Sequence, residues 1–275
     1  MYRRITEQER REFEENGFVI IKDLFCKEEV DALLRTAKSD HAISQHAHDL
    51  DDGSGGKSKL TAWFKPGDNV YGMFARCPRV VQNMKTLLGC DVYHYHSKMM
   101  LKEPFTGGAW AWHQDYGYWY HAGYLFPEMA SCLVAVDRAT KENGCIQMLK
   151  GSHKMGRIEH VTTGDQTGAE SERMKWALGR FELVYCESEP GTAVFFHGNT
   201  LHASAQNKSP NPRWSLICCY TGTHNTPLNE PQHPGYEPIH LVDDDAILRA
   251  VGMELHADSS FLEKDTKGTY SKSGT

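Results

Sequence analysis

From Asp91 to Thr221 the chain is a succession of short β-rich runs punctuated by glycine, proline and asparagine. The candidate strands are 91–101, 109–116, 131–137, 180–187, 192–197, 200–205 and 214–221. Many short strands separated by turn signals fold into an all-β sandwich or barrel. Asn207 to Pro212 has turn chemistry throughout and is expected to bring the strand begun at Arg213 back alongside the one carrying His202. The first 90 residues read differently. Thr6 and Glu9 form a capping-box pattern that opens a helix stopping near Gly17, and Phe18 to Ile21 reads as a short strand. Lys27 to Lys38 carries Val30, Leu33, Leu34 and Ala37 at helical spacing, and Pro78 to Leu88 has proline at its start and Gly89 after its end. Residues 41 to 58, with Asp-Asp-Gly-Ser-Gly-Gly-Lys-Ser, read as loop. The organisation expected is a single domain over 1–275: helical support over about 1–90, a β core over about 91–221, and a polar C-terminal extension over 222–275. That extension carries one short helix at 244–252, and its last dozen residues are expected to be mobile.

A net charge of −6 speaks against broad nucleic-acid binding, which shows a basic footprint. No apolar run approaches the roughly 20 residues that span a bilayer. The opening Met-Tyr-Arg-Arg-Ile-Thr-Glu has no apolar leader, so the expectation is a cytoplasmic protein acting on a small molecule, without nucleic-acid or membrane partners. Its oligomeric state is not readable. The eight cysteines include no Cys-x-x-Cys pair and several sit in apolar runs, as buried small hydrophobes do.

Within the β-rich region, His113 and Asp115 stand two apart in Ala-Trp-His-Gln-Asp-Tyr. On a strand, side chains at i and i+2 share a face, so both could reach one metal ion. A histidine from a distant strand, such as His202, would complete a 2-His-1-carboxylate set, which occupies one face of an octahedral iron(II) and leaves three positions open. Fifteen histidines make a chance His-x-Asp plausible, and unrelated polar residues on a sheet surface are the plain alternative. Two residues on, Ser204 points with His202, and Arg213 follows across the turn. A planar guanidinium grips a carboxylate bidentately, which suits a cosubstrate with a keto-acid end on the metal and a carboxylate at the far end. That describes 2-oxoglutarate.

The pattern His113-x-Asp115, His202-x-Ser204 and Arg213 resembles the phytanoyl-CoA dioxygenase family of iron(II)- and 2-oxoglutarate-dependent oxygenases. Further matching stretches are Glu142-Asn143-Gly144-Cys145, Lys150-Gly151-Ser152-His153, and Pro190-Gly191 leading to Phe196-His197. The resemblance covers roughly residues 10 to 221. It implies a mainly β fold with flanking α-helices around a double-stranded β-helix, the cupin-like jelly-roll. It implies His113, Asp115 and His202 as Fe(2+) ligands, with Arg213 and Ser204 on the distal carboxylate of 2-oxoglutarate and Lys98 as a further cosubstrate contact. It implies hydroxylation of a small organic substrate by O2, with release of succinate and CO2. Related halogenases carry a small residue in place of the metal carboxylate; Asp115 here favours hydroxylation.

Other groups admit plainer readings. His197 lies five residues before His202 with opposite strand parity, so it is expected to pack near the site rather than ligate. His94 and His96 form a His-x-His pair of the kind found in cupin metal sites, but the remaining cupin ligands are poorly spaced. His46 and His48 fall in the acidic loop, and Gly-Lys-Ser at 56–58 lacks the glycine spacing of a phosphate loop. Trp110, Trp112, Tyr116, Tyr118, Trp119 and Tyr120 surround the dyad; most must be packing, while Tyr116 and Trp119 are the expected substrate wall. Polar, glycine-containing segments at 41–58 and 156–178 are candidate lids. Two other functions fit a metal-binding jelly-roll: a non-catalytic sensor or binding protein, and a zinc hydrolase using the same three ligands.

Overall fold

The computed structural model describes residues 2–163, 165–228 and 235–262. The N-terminal half begins with α1 (Glu7–Asn16), whose first turn is closed by the reciprocal Thr6–Glu9 cap and whose end turns on Gly17 at φ +83°. There follow β1 (Phe18–Ile21), α2 (Lys27–Ser39), α3 (His41–Gln45), β2 (His48–Asp51), β3 (Lys57–Trp63), α4 (Val70–Arg76) and α5 (Pro78–Leu88). The core follows with β4 (Val92–Lys102), β5 (Trp110–His113), α6 (Asp115–Trp119), β6 (Met129–Ala135), β7 (Ile146–Leu149), β8 (His160–Thr163), β9 (Gln166–Ala169) and α7 (Ser171–Arg180). It closes with β10 (Leu183–Tyr185), β11 (Ala193–His197), β12 (His202–Ser204), β13 (Arg213–Gly222) and α8 (Ala246–Arg249).

The strands form two main sheets. One is seven-stranded in the order β1-β11-β6-β13-β4-β3-β2; the other is four-stranded in the order β10-β7-β12-β5. A β8–β9 hairpin stands apart. Period-two alternation divides the large sheet between two cores. Phe195, Cys132 and Cys218 face the helical layer with Leu33, Phe74 and Met84. Their chain neighbours Phe196, Leu133 and Cys219 face inward with Ile146 and Met148 of the small sheet. Both faces are covered, which is why these strands read as continuous apolar runs. Each large side chain so buried stabilises the fold by about 1.5–3 kcal/mol relative to exposure.

The structure corrects several expectations. Residues 41–58 are not all loop: α3 and the β2–β3 hairpin occupy much of them, because Leu50, Leu60 and Ala62 bury together on one face. The expected strand at 180–187 shrinks to Leu183–Tyr185, since the helix ending at Arg180 runs into it. The expected strand at 109–116 stops at His113. Arg213 does not return on a strand paired with β12: β12 pairs with β5 and β7, whereas β13 pairs with β4 and β6. The 207–212 turn therefore crosses from one sheet to the other, and Arg213 faces Ser204 across the sandwich. The expectation for the last dozen residues lies outside the described residues.

Candidate metal centre

His113 ends β5 and His202 begins β12, and the two are directly opposite in the antiparallel register. Their rings lie 4.0 Å apart between centroids. Asp115 reaches them by a different route from the shared strand face expected. The backbone leaves the strand at Gln114 and turns into α6, whose first residue is Asp115. The Tyr116 N–H donates to the Gly198 carbonyl at 2.9 Å, fastening this turn to the segment that leads to His202. Asp115 Oδ1 then lies 3.7 Å from His113 Nε2 and 3.8 Å from His202 Nε2. One possible ligand atom from each residue falls within 4.8 Å of the others, and all three residues are buried.

The tautomers follow from the partners. His113 Nδ1 sits 2.8 Å from the Ala111 carbonyl, and His202 Nδ1 sits 2.9 Å from the Thr200 carbonyl. A carbonyl only accepts, so both Nδ1 atoms carry the proton and both Nε2 atoms present a lone pair. Burial and the neighbouring His113 push His202 down to about 3, keeping it neutral. Burial alone would raise the Asp115 carboxyl; the Lys98 ammonium beside it outweighs that and holds Asp115 well below the usual carboxylate range. Two unprotonated imidazole nitrogens and one ionised carboxylate oxygen form the donor set an iron(II) facial triad takes. The donors fit the metal.

A cavity of about 50 Å³ opens beside the triad and is lined by Lys98, His113, His202, Ser204 and Arg213 with apolar walls such as Leu133 and Phe196. The Lys98 ammonium lies 3.7 Å from Asp115 Oδ1, and Asp115 keeps it protonated despite its burial. Arg213 is 5% exposed; its Nη1 donates to Ser215 Oγ at 3.2 Å, while its buried Nε has no partner. Burial pushes this guanidinium down to about 10, so it remains charged at neutral pH. A buried cation with an unpartnered donor, next to the Ser204 hydroxyl, fits a carboxylate. The cavity thus runs from a metal-ligand set to an anion seat, as 2-oxoglutarate requires.

Tyr116 and Trp119 are buried in the aromatic cluster that follows Asp115, with the Tyr116 hydroxyl donating to the Tyr124 carbonyl at 3.0 Å. Neither lines the cavity. His197 turns away toward Phe13 and His153. His94 is a satisfied core residue between the Phe64 carbonyl and Ser97 Oγ. His46 stacks on Phe261, and His48 bonds to the Leu262 carbonyl.

Three polar residues around the site were not legible in the sequence. Lys102 Nζ donates to Ser204 Oγ at 2.9 Å and, more tightly, to the Ala205 carbonyl; burial and Arg213 hold its amine well below the usual lysine range. Ser131 donates to Asp115 Oδ2 at 2.8 Å. Gln114 is fully buried: its side chain accepts from Ile158 N and donates to the Gly156 and Asn199 carbonyls, and its N–H donates to His160 Nε2. The one signal for Ser131 is its polarity in an otherwise apolar strand, Met129–Ala135.

Known proteins resemble this chain in sequence and in fold. The chain is 31% identical over 183 residues to an L-proline trans-4-hydroxylase from Streptomyces griseoviridis, covering 61% of this chain and 68% of that protein. It is 27% identical over 238 residues to an ectoine dioxygenase from Bordetella parapertussis, covering 80% and 76%. The crystal structure of EctD from S. alaskensis with 2-oxoglutarate and 5-hydroxyectoine matches the fold with a TM-score of 0.71 at 21% identity, over 87% of this chain and 88% of that one. The 2-oxoglutarate-dependent carbocyclase SnoK from nogalamycin biosynthesis matches with a TM-score of 0.67 at 18% identity, over 94% and 95%. These structural likenesses give the jelly-roll fold. A sequence profile of the phytanoyl-CoA dioxygenase (PhyH) family matches residues 13–215, and the chain belongs to that family.

Proposed function

We propose that the site hydroxylates a small organic substrate, with His113, Asp115 and His202 holding iron(II), and with Arg213 and Ser204 seating the distal carboxylate of 2-oxoglutarate. The chain is a 2-oxoglutarate-dependent dioxygenase, as its family and its hydroxylase relatives are. The observation that carries the residue assignment is one cavity that joins His113 and His202 of the ligand set to a buried arginine with an unpartnered Nε. When bound, iron(II) with 2-oxoglutarate supplies the oxidising chemistry: O2 is consumed, succinate and CO2 leave, and a hydroxyl goes to the substrate.

The chain's own groups position and exclude. The carbonyls of Ala111 and Thr200 fix both imidazoles with Nε2 inward. Lys98 places a cation at the metal end of the cavity, Arg213 one at the far end, and a dicarboxylate is complementary to both. Leu133, Ile146, Phe196 and Ile217 keep the span between them apolar and exclude water. Tyr116 and Trp119, buried just past Asp115 and outside this cavity, pack behind the ligand set rather than forming a substrate wall. The relatives named for L-proline and ectoine support a small, amino-acid-like substrate over a CoA thioester. The eight cysteines stand free, as in a reducing compartment, which supports a cytoplasmic setting. Among the described residues no carboxylate lines the cavity to serve as general base, which disfavours a zinc hydrolase.

The test is succinate release from 2-oxoglutarate with iron(II), ascorbate and a panel containing L-proline, ectoine and a long-chain acyl-CoA. Substrate-dependent succinate is expected with a small amino acid and lost in Asp115→Ala. Wild-type turnover by Asp115→Ala would remove the triad from the mechanism.

A further inference from the structure

Asp115 offers two carboxylate oxygens, and the structure gives them different tasks. Oδ1 faces the two imidazole Nε2 atoms at 3.7 and 3.8 Å, with Lys98 Nζ at 3.7 Å. Oδ2 points the other way, to Ser131 Oγ at 2.8 Å. Ser131 is fully buried on β6, in the middle of the large sheet, directly opposite Cys219 of β13 and Phe196 of β11. Its hydroxyl is also 3.2 Å from Cys219 Sγ.

The hydrogens along this line have one assignment. An ionised carboxylate accepts only, so Ser131 spends its single hydrogen on Asp115 Oδ2. The contact with Cys219 must then run from the thiol to the Ser131 oxygen. Cys219 S–H thus orients Ser131, and Ser131 O–H orients Asp115. Both donors sit on paired central strands, so the carboxylate plane is referred to the rigid sheet rather than to the short helix that carries Asp115.

We infer that Ser131 is a positioning residue that ties down Asp115 Oδ2, reserving Oδ1 alone for the metal. This rests on the triad reading above. The consequence is arithmetic. A facial triad leaves three positions open only while each ligand gives one atom. Those positions are the ones a chelating keto acid and O2 would need. With Oδ2 untied, the carboxylate is free to swing and give its second oxygen, and one position needed by the cosubstrate is lost. The hydroxyl therefore protects the cosubstrate's place more than the metal's.

The experiment separates those two affinities without turnover. Ser131→Ala, Ser131→Thr and Asp115→Ala are titrated anaerobically, first with iron(II) and then, iron-loaded, with 2-oxoglutarate followed by the visible absorption of its chelate. The expected result for Ser131→Ala is iron(II) binding within about threefold of wild type and 2-oxoglutarate binding weakened about tenfold, the low end for loss of an outer-shell partner. Ser131→Thr, which keeps the hydroxyl, restores cosubstrate binding. Wild-type affinity for both in Ser131→Ala overturns the inference. So does a parallel loss of both together with a lowered melting temperature, which marks a merely structural serine. Full iron binding by Asp115→Ala sinks the triad reading itself, whatever Ser131 does.

Discussion

Arg213 is buried and charged, and its buried Nε has no partner. A carboxylate that fills that gap makes charge-assisted hydrogen bonds worth about 1.5–3 kcal/mol. Arg213→Ala should accordingly raise the 2-oxoglutarate concentration for half-maximal activity by roughly 10- to 100-fold, with little change in the half-saturating substrate concentration; steady-state kinetics with each reactant varied checks this. At this scale the sequence was informative wherever residue type alone carries chemistry. His113, Asp115, His202 and Arg213 stand out because few other side chains can do their work. Lys102 and Ser131 did not, because their meaning depends on what lies across the sandwich. Ser131 matters only since β6 sets it opposite Cys219 and within reach of Asp115.

Among elements, the informative break is between β5 and α6. The dyad was expected on one strand face, yet the chain changes from strand to helix between its two ligands. Gln114 makes this break rigid by spending its side-chain hydrogen bonds on 156–158 and on Asn199, three residues before His202. His160 secures the Gln114 N–H, and its ring fits against Gly117, where a Cβ would come within 2.1 Å of it. Gln114→Ala would leave three backbone groups unpartnered, two of them buried. A loss of about 2–4 kcal/mol in unfolding free energy is expected, measured by denaturant titration, with weaker iron(II) binding. Wild-type stability would show that these bonds do not clamp the site. The boundaries of α5 and the cap of α1 were legible because proline, glycine and a capping pair act locally. The β2–β3 hairpin was not, since its burial comes from Leu50 and Leu60 meeting across strands in a segment rich in aspartate and glycine.

For the molecule as a whole, three histidines held below their ordinary pKa set the response to acid. Burial pushes His202 down to about 3, and His160 and His197 down to about 4. In the unfolded chain each titrates near 6.5. The folded values are depressed, so below pH 6.5 the unfolded state takes up protons that the fold refuses. Stability of the metal-free protein is therefore full above about pH 6.5 and falls as pH drops toward 4, by about 1.4 kcal/mol per pH unit for each histidine. Denaturation midpoints at pH 7.5, 6 and 5 should decline in that order; flat midpoints would contradict neutral burial of these rings. The most direct test of the account is an anaerobic titration of the iron(II)-loaded wild-type protein with 2-oxoglutarate, followed by visible absorption. A weak charge-transfer band that saturates, and that needs far more 2-oxoglutarate in Arg213→Ala, is the predicted result. With iron shown to be bound, the absence of any such band would contradict the proposed cosubstrate seat.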